Sequence, residues 1–272
     1  LIRLKRALLP SQQVKLKVRK WGSVGFILGV FIIGALLEII QISMLPILLL
    51  AVSFLAFLWS FSIKEPEHAP SSQKKLESIL PILKRPTVAA FFAIEFVLLF
   101  SQAPFYSFYS NFLKEIGFST TQIGTLWATG VIAEIIMFAI AQKVFFTRFS
   151  WRTLVAVCLI LTSLRWFLVS ILNTHFLGQL FAQCLHAFSF GLFHLIAMKV
   201  IFQNFSAEQQ GRGQALYSTM WGLGVASGSL LAGHYWQVFS GATIFLYASG
   251  IVLIGLFLVF WLPNQLETAA KT

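Results

Sequence analysis

The chain has 272 residues, of which 58% are hydrophobic and 11% are charged, and its formal net charge is +11. So few polar side chains cannot cover the surface of a water-soluble domain of this size. Apolar runs of about 20 residues, the length needed to cross ~30 Å of hydrocarbon, recur along the sequence. These features exclude a water-soluble domain and predict an all-α, multi-spanning membrane protein embedded in the lipid bilayer.

The apolar runs predict eight membrane-spanning helices, which we letter a to h in chain order. Their predicted bounds are 22–40 (a), 43–62 (b), 88–110 (c), 121–146 (d), 152–172 (e), 177–203 (f), 213–237 (g) and 241–262 (h). A basic segment at 1–21 precedes them and a tail at 263–272 follows. The polar, proline-containing stretch 63–87 reads as a cytoplasmic linker between two bundles, one ending with the helices of 22–62 and one formed by the six helices of 88–262.

The positions of the basic residues predict the orientation of these spans. Of the 20 lysines and arginines, 18 fall in the two terminal segments, the linker and the loops d–e and f–g, which all lie on one side of the membrane. The opposite set of loops holds only Lys114, and Arg165 lies inside a span. Because positive charge accumulates in cytoplasmic loops, both termini and the linker are predicted to be cytoplasmic. The net charge is thus a topological signal and does not indicate a nucleic-acid partner.

Spans a and g share a glycine pattern. Both follow a Trp-Gly pair and carry glycines at spacings of four and five, namely Gly25, Gly29 and Gly34 in a, and Gly224, Gly228 and Gly233 in g. Small residues at this spacing let helices pack closely, so the pattern predicts two independent packing seams or an ancient duplication. Under duplication, two six-helix halves are expected. The chain is then the last eight of twelve helices, and four helices before span a are missing.

Three ionisable residues are predicted to lie at similar depth inside the membrane. Glu134 is thirteen residues into span d and Arg165 is thirteen residues into span e from the other side, about 20 Å each at 1.5 Å per residue. His186 is nine residues into span f. A charge facing lipid at the bilayer centre costs about 2.5–3.5 kcal/mol. These side chains are therefore expected to face the protein interior, a partner or a water-filled cavity.

The functional interpretation of this group is a substrate site with a proton relay. Arg165 would bind a substrate carboxylate, while Glu134, His186 and the more cytoplasmic His194 would exchange protons. The alternative is a static ion pair that joins spans d and e, with the histidines as ordinary core residues. Glu95 lies about 10 Å from the cytoplasmic end of span c, close enough to reach water, and receives no role.

Span c contains a candidate cavity wall in the stretch "SQAPFYSFYSNF", residues 101–112. Gln102, Tyr106 and Tyr109 are amphipathic and lie near Pro104, which can open a helix, so they suit a flat, partly apolar substrate. The alternative is that these aromatic residues are ordinary core or lipid-facing residues.

Cofactors and enzyme activity are not expected, since no nucleophile–base pair, metal-ligand cluster or nucleotide motif is present. The two cysteines, Cys158 and Cys184, lie in apolar spans and imply no disulfide framework.

Several motifs together resemble a known transporter family. They are "KVRKWGSVGFILG" (17–29), "LWATGVIAEIIMF" (126–138), "LRWFLVS" (164–170), "LHAFSFGLFHLIAMK" (185–199) and "GQALYSTMWGLGVASGSLLAG" (213–233). The chain is similar to the major facilitator superfamily, and within it to the 3-phenylpropionic acid transporter family of bacterial inner membranes. The resemblance runs from Lys17 to residue 262, and residues 1–16 depart from the family pattern.

The resemblance implies a twelve-helix secondary transporter, of which this chain matches helices five to twelve. It implies proton-coupled symport of a small aromatic carboxylate such as 3-phenylpropionate across the inner membrane. Symport of a sugar or nucleoside, and a truncated transporter remnant without activity, stay open as alternatives. In the more distantly similar oligosaccharide–proton symporters an essential glutamate follows the coupling histidine by three residues, and Ser189 occupies that position here.

Overall fold

The structure is a computed structural model that describes Gly25, Gly29, Ile32 and residues 42–62 and 78–263. Within these residues the chain is helical and contains no strand. The helices are α1 Leu45–Ser60, α2 Leu80–Leu83, α3 Pro86–Glu115, α4 Thr120–Val144, α5 Trp151–Ile171, α6 Phe176–Asn204, α7 Gln210–Tyr235 and α8 Gly241–Leu258. Helix α6 contains a π-helical segment at Ala187–Leu192.

Predicted spans b to h each coincide with one long helix, and span a falls almost entirely outside the described residues. Among the described residues, α3, α4, α5, α6 and the helix Gly241–Trp261, which extends α8, are long and apolar enough to cross a membrane. Helix α7 has 26 residues, but its glycine- and serine-rich sequence is less apolar. The predicted class, an all-α multi-spanning membrane protein, is confirmed.

The chain divides into two compact units, Leu1–Leu76 and Glu77–Thr272, and this boundary falls inside the stretch 63–87. Helix α1 is the long helix described in the first unit. In the second unit, buried apolar residues form two clusters, one around Phe91, Leu154 and Ile196 and one around Phe105 and Trp166. Gln102 of α3, Arg165 of α5 and His186 of α6 are buried polar residues that lie between the segments that supply these two clusters.

The exposed surface of α4 carries a regular apolar stripe. Ile132, Ile136 and Ile140 recur every four residues and are all exposed, which places them on one face of the helix. Glu134 lies on another face of α4 and is buried. The helix therefore keeps its carboxyl group inside the bundle while it presents isoleucines outward.

Helices α3 and α7 approach each other closely at two of the predicted glycines. A Cβ atom placed on Gly224 would lie 3.0 Å from the Phe96 carbonyl oxygen, and one on Gly228 would overlap the Phe100 carbonyl oxygen. A Cβ on Gly233 would lie 3.2 Å from the Phe108 ring. For Gly25 and Gly29 the described residues place no atom within 4 Å of such a Cβ, and Gly34 lies outside the described residues.

Candidate functional site

Arg165 is the centre of the buried polar site. Its helix, α5, has Ser150 as the N-cap residue, whose hydroxyl accepts a hydrogen bond from the Thr153 backbone N–H at 3.1 Å. The Arg165 side chain is fully buried. One terminal nitrogen (Nη1) lies 3.0 Å from His186 Nδ1 and donates to Ser189 Oγ at 3.1 Å, while the other (Nη2) donates to Gln183 Oε1 at 2.9 Å. All three partners belong to α6, so this arginine joins α5 to α6.

His186 lies between Arg165 and Glu134. Because a guanidinium group only donates hydrogen bonds, His186 Nδ1 must accept, and the proton of the neutral ring is then on Nε2. Nε2 faces Glu134, at 3.9 Å from its carboxylate oxygen Oε2. This distance is longer than a direct hydrogen bond. The imidazole therefore separates the two charged groups that the sequence placed at one depth.

The π-helical segment of α6 shapes the site beside Glu134. A π turn is wider than an α turn and often marks a functional position. The Ser189 carbonyl within this segment accepts a hydrogen bond from Gln102 Nε2 of α3 at 3.0 Å. At Gly191, an added Cβ would lie 3.3 Å from Met137 and 3.5 Å from the Glu134 side chain, so a larger residue would push α4 away.

Two aromatic rings contact the guanidinium group on adjacent sides. The carbon centre of Arg165 (Cζ) lies 4.3 Å from the centroid of the Phe105 ring and 4.3 Å from that of Trp166. The Phe105 ring also lies 4.5 Å from the Trp127 ring. Such contacts favour a cation and supply flat apolar surface beside it. The site thus combines a fixed positive charge with aromatic walls.

Three buried N–H groups in this cluster have no hydrogen-bond acceptor among the described residues. They are Arg165 Nε, Trp166 Nε1 and Gln183 Nε2. Buried donors of this kind are normally paired, so each unpaired one needs an explanation. A ligand that brings an acceptor oxygen atom beside Arg165 would satisfy its Nε–H.

The predicted wall residues of α3 contact the site to different degrees. Gln102 is buried and bonds to the π-helical segment, and the Tyr106 hydroxyl lies 3.5 Å from Gln102 Oε1. Tyr109 is fully buried and donates to Gln179 Oε1 at 2.9 Å. It therefore packs in the adjacent apolar cluster.

His194 lies two helical turns from His186 on α6. Its Nδ1 is 3.0 Å from the Tyr217 hydroxyl of α7. The Phe190 ring stacks between the two histidines, at 5.3 Å from His186 and 6.2 Å from His194. The structure therefore groups Glu134, Arg165 and His186 together and places His194 on the far side of an aromatic ring.

Several residues of the site were not among the sequence candidates. They are Gln183, Ser189, Phe105 and Trp166. Gln183 precedes His186 by three residues and Ser189 follows it by three, so helical periodicity alone placed both on its face. A search for polar residues one turn from each candidate would have found these two. Trp166 follows Arg165 directly in the sequence. Its ring contacts the guanidinium group because of the side-chain conformation of Arg165, which the sequence does not give.

Comparison with known proteins identifies the class of protein to which this bundle belongs. The profile of the MFS_1 like family, within the major facilitator superfamily, matches residues 16–247, so the chain belongs to that family. The chain is also 29% identical over 252 residues to the "Probable 3-phenylpropionic acid transporter" of Escherichia coli (strain K12). The match covers 89% of this chain and 64% of that relative, so the chain spans just under two thirds of the relative's length. The family resemblance seen in the motifs is confirmed.

Proposed function

We propose that this chain forms part of a secondary transporter that carries a small aromatic carboxylate across the bacterial inner membrane together with protons. The observation that carries the proposal is the buried Arg165 guanidinium group, which packs against two aromatic rings and has an unpaired Nε–H. The name of the relative in Escherichia coli supports 3-phenylpropionate as the first substrate to test.

The chemistry of the site favours a carboxylate attached to an aromatic ring. Guanidinium binds carboxylate through two parallel hydrogen bonds and stays charged at any physiological pH. The unpaired Arg165 Nε and Gln183 Nε2 offer two buried donors for its oxygen atoms. Phe105 and Trp166 offer flat surfaces next to the charge. A sugar or nucleoside would use the amides but would leave the arginine charge unneutralised.

Substrate and proton binding would be coupled through His186. A proton on Nδ1 would turn this nitrogen into a donor that faces the donor of Arg165 at 3.0 Å, so the two groups would repel each other. A substrate carboxylate that draws Arg165 away would remove this conflict. The added negative charge near Glu134 would also favour protonation of Glu134 or His186. Binding of the anion would then promote proton uptake.

A proton would pass between His186 and His194 only after Phe190 moves, because this ring stacks between the two histidines. The basic loops favour an orientation with both chain termini in the cytoplasm. The proposal includes the predicted division of the chain into the last two helices of one bundle at 22–62, a linker at 63–87 and a six-helix bundle at 88–262. Transport would then occur by rocking of the two bundles.

Uptake of labelled 3-phenylpropionate tests the proposal. Cells that express the protein are compared with cells that carry an empty vector, with and without an inward proton gradient. We expect uptake that the gradient increases and that unlabelled aromatic acids inhibit. Uptake inhibited only by sugars or nucleosides would contradict the substrate class, and gradient-independent uptake would contradict the proton coupling.

The Glu134→Gln substitution tests the assigned proton carrier. Glutamine keeps the size of the side chain but cannot ionise, so pH-driven accumulation is expected to fall to the external concentration. Exchange of internal for external substrate needs no net proton movement and is expected to continue. Glu115→Gln, at the exposed end of α3, is the control and should accumulate substrate normally. Full accumulation by the Glu134→Gln protein would remove Glu134 from the proton path.

A further inference from the structure

Glu95 of α3 is a second buried carboxyl group, and the mechanism above does not use it. The sequence suggested that this residue reaches water, but its side chain is fully buried in the structure. Neither carboxyl oxygen has a hydrogen-bond partner among the described residues. The difference arises because α3 is covered at this level by α5, α6 and α8, whose residues join the apolar cluster around Phe91, and by α7, whose Gly224 lies against Phe96.

Two contacts fix the level of Glu95 in the bundle. Below it on α3, the Phe91 ring stacks on Phe193 at 5.5 Å, and above it Gln102 donates to the Ser189 carbonyl. Phe91, Glu95 and Gln102 share one face of the helix, since they are separated by four and seven residues. Glu95 is therefore level with the lower part of the π-helical segment, between Ser189 and Phe193.

Glu134 approaches the same segment from α4. An added Cβ on Gly191 would lie 3.5 Å from the Glu134 side chain. The two carboxyl groups thus lie at similar depth, with Glu134 on the α4 side of the segment and Glu95 on the α3 side.

The other titratable groups at this level do not balance a charge on Glu95. The titratable group on α5 is the buried thiol of Cys158. The titratable group on α6 is His194, whose Nδ1 lies 3.0 Å from the Tyr217 hydroxyl of α7. Val252 of α8 and Val259 of the turn that extends it contribute apolar side chains to this cluster. Burial of an ionised carboxylate without a partner costs far more free energy than burial of the neutral acid. Burial without a partner therefore favours the neutral, protonated form of Glu95 in this conformation.

We propose that Glu95 is a proton-binding site, distinct from the Arg165 site, which holds its proton while α3 and α6 are packed together. When these helices separate and water reaches the carboxyl group, Glu95 releases the proton to that water and becomes a carboxylate. Glu95 and Glu134 would then bind and release protons on opposite sides of the π-helical segment. The role in coupling rests on the proposed transport function, whereas the protonated state does not.

The protonated state can be measured directly because the chain has nine acidic residues, all of them glutamate. The protein is labelled with ¹³C at the glutamate carboxyl carbon, reconstituted in lipid, and examined by NMR and infrared spectroscopy at pH 7. We expect a protonated-carboxyl signal that persists well above the pH at which exposed glutamates ionise. Glu95→Gln should remove this signal, and Glu115→Gln, on the same helix, should leave it unchanged.

The outcomes separate this inference from the proposed function. If the Glu95→Gln protein does not fold, the same spectra are recorded for the Glu134→Gln protein. The protonated-carboxyl signal must persist in that variant, because Glu95 is still present. A chain whose glutamates are all ionised at pH 7, or a signal that Glu134→Gln removes, overturns the inference whatever the transport results. A protonated Glu95 in a protein that transports nothing overturns only the coupling role. In a transporting protein, Glu95→Gln should lose pH-driven accumulation and keep exchange, and unchanged accumulation would overturn that role.

Discussion

The Arg165→Gln substitution is expected to weaken binding of 3-phenylpropionate by at least about 100-fold. The change removes two hydrogen bonds between a charged donor and a charged acceptor, each worth about 1.5–3 kcal/mol, and 1.4 kcal/mol corresponds to a tenfold change in affinity. Arg165→Lys keeps the charge but loses the planar group that packs against Phe105 and Trp166, so a loss of about tenfold is expected. Equilibrium binding of labelled substrate to the purified protein measures both effects.

Arg152 offers a matched control for this series. It lies near the start of the same helix, with its guanidinium group 5.0 Å from the centroid of the Phe260 ring. Arg152→Gln and Arg152→Lys should leave the dissociation constant unchanged. Thermal denaturation of each variant shows whether it is folded. A folded Arg165→Gln protein that binds the acid as tightly as the unaltered protein would remove the arginine from the substrate site.

The Gly228→Ala substitution is expected to lower the free energy of unfolding by about 1–3 kcal/mol, the usual cost of overpacking a close contact. The added methyl group would overlap the Phe100 carbonyl oxygen and lie 2.6 Å from Ala103 Cβ. The backbone of α3 cannot yield as a flexible side chain would, so α7 must move outward. Denaturation of the purified protein in detergent measures this loss.

Gly222→Ala is the control for this substitution, and it is not expected to lower the free energy of unfolding. Gly222 lies on α7, and a Cβ there meets no atom of the described residues within 4 Å. Alanine favours helix over glycine by about 1 kcal/mol, so this variant should be as stable as the unaltered protein or more stable. Equal destabilisation by the two substitutions would contradict close packing of α3 on α7 at Gly228.

The sequence predicted the helices well because hydrophobic length is a strong constraint in a bilayer. Predicted spans 121–146, 152–172 and 177–203 differ from α4, α5 and α6 by at most two residues at either end. Span c was predicted too short at its end, since the polar residues after Tyr109 hid the continuation to Glu115. The π-helical segment gave no recognisable sequence signal.

Depth along each helix predicted one level for Glu134, Arg165 and His186, and in the structure His186 contacts Arg165 and lies 3.9 Å from Glu134. Depth does not give the direction in which each side chain points. It therefore could not show that His186 stands between the two charges, nor that Glu95 turns inward and away from water. It also could not show that Phe190 separates His194 from His186. These features depend on how the helices rotate against each other and on the local register of α6.

The central claim is that the buried Arg165 guanidinium group binds the carboxylate of an aromatic acid. It is tested most directly by titration calorimetry of the purified protein with 3-phenylpropionate and with 3-phenylpropionamide, which has the same shape and no charge. The account predicts that the acid binds at least about tenfold more tightly than the amide, because only the acid gains charge-assisted hydrogen bonds. Equal affinity for the two compounds would contradict it.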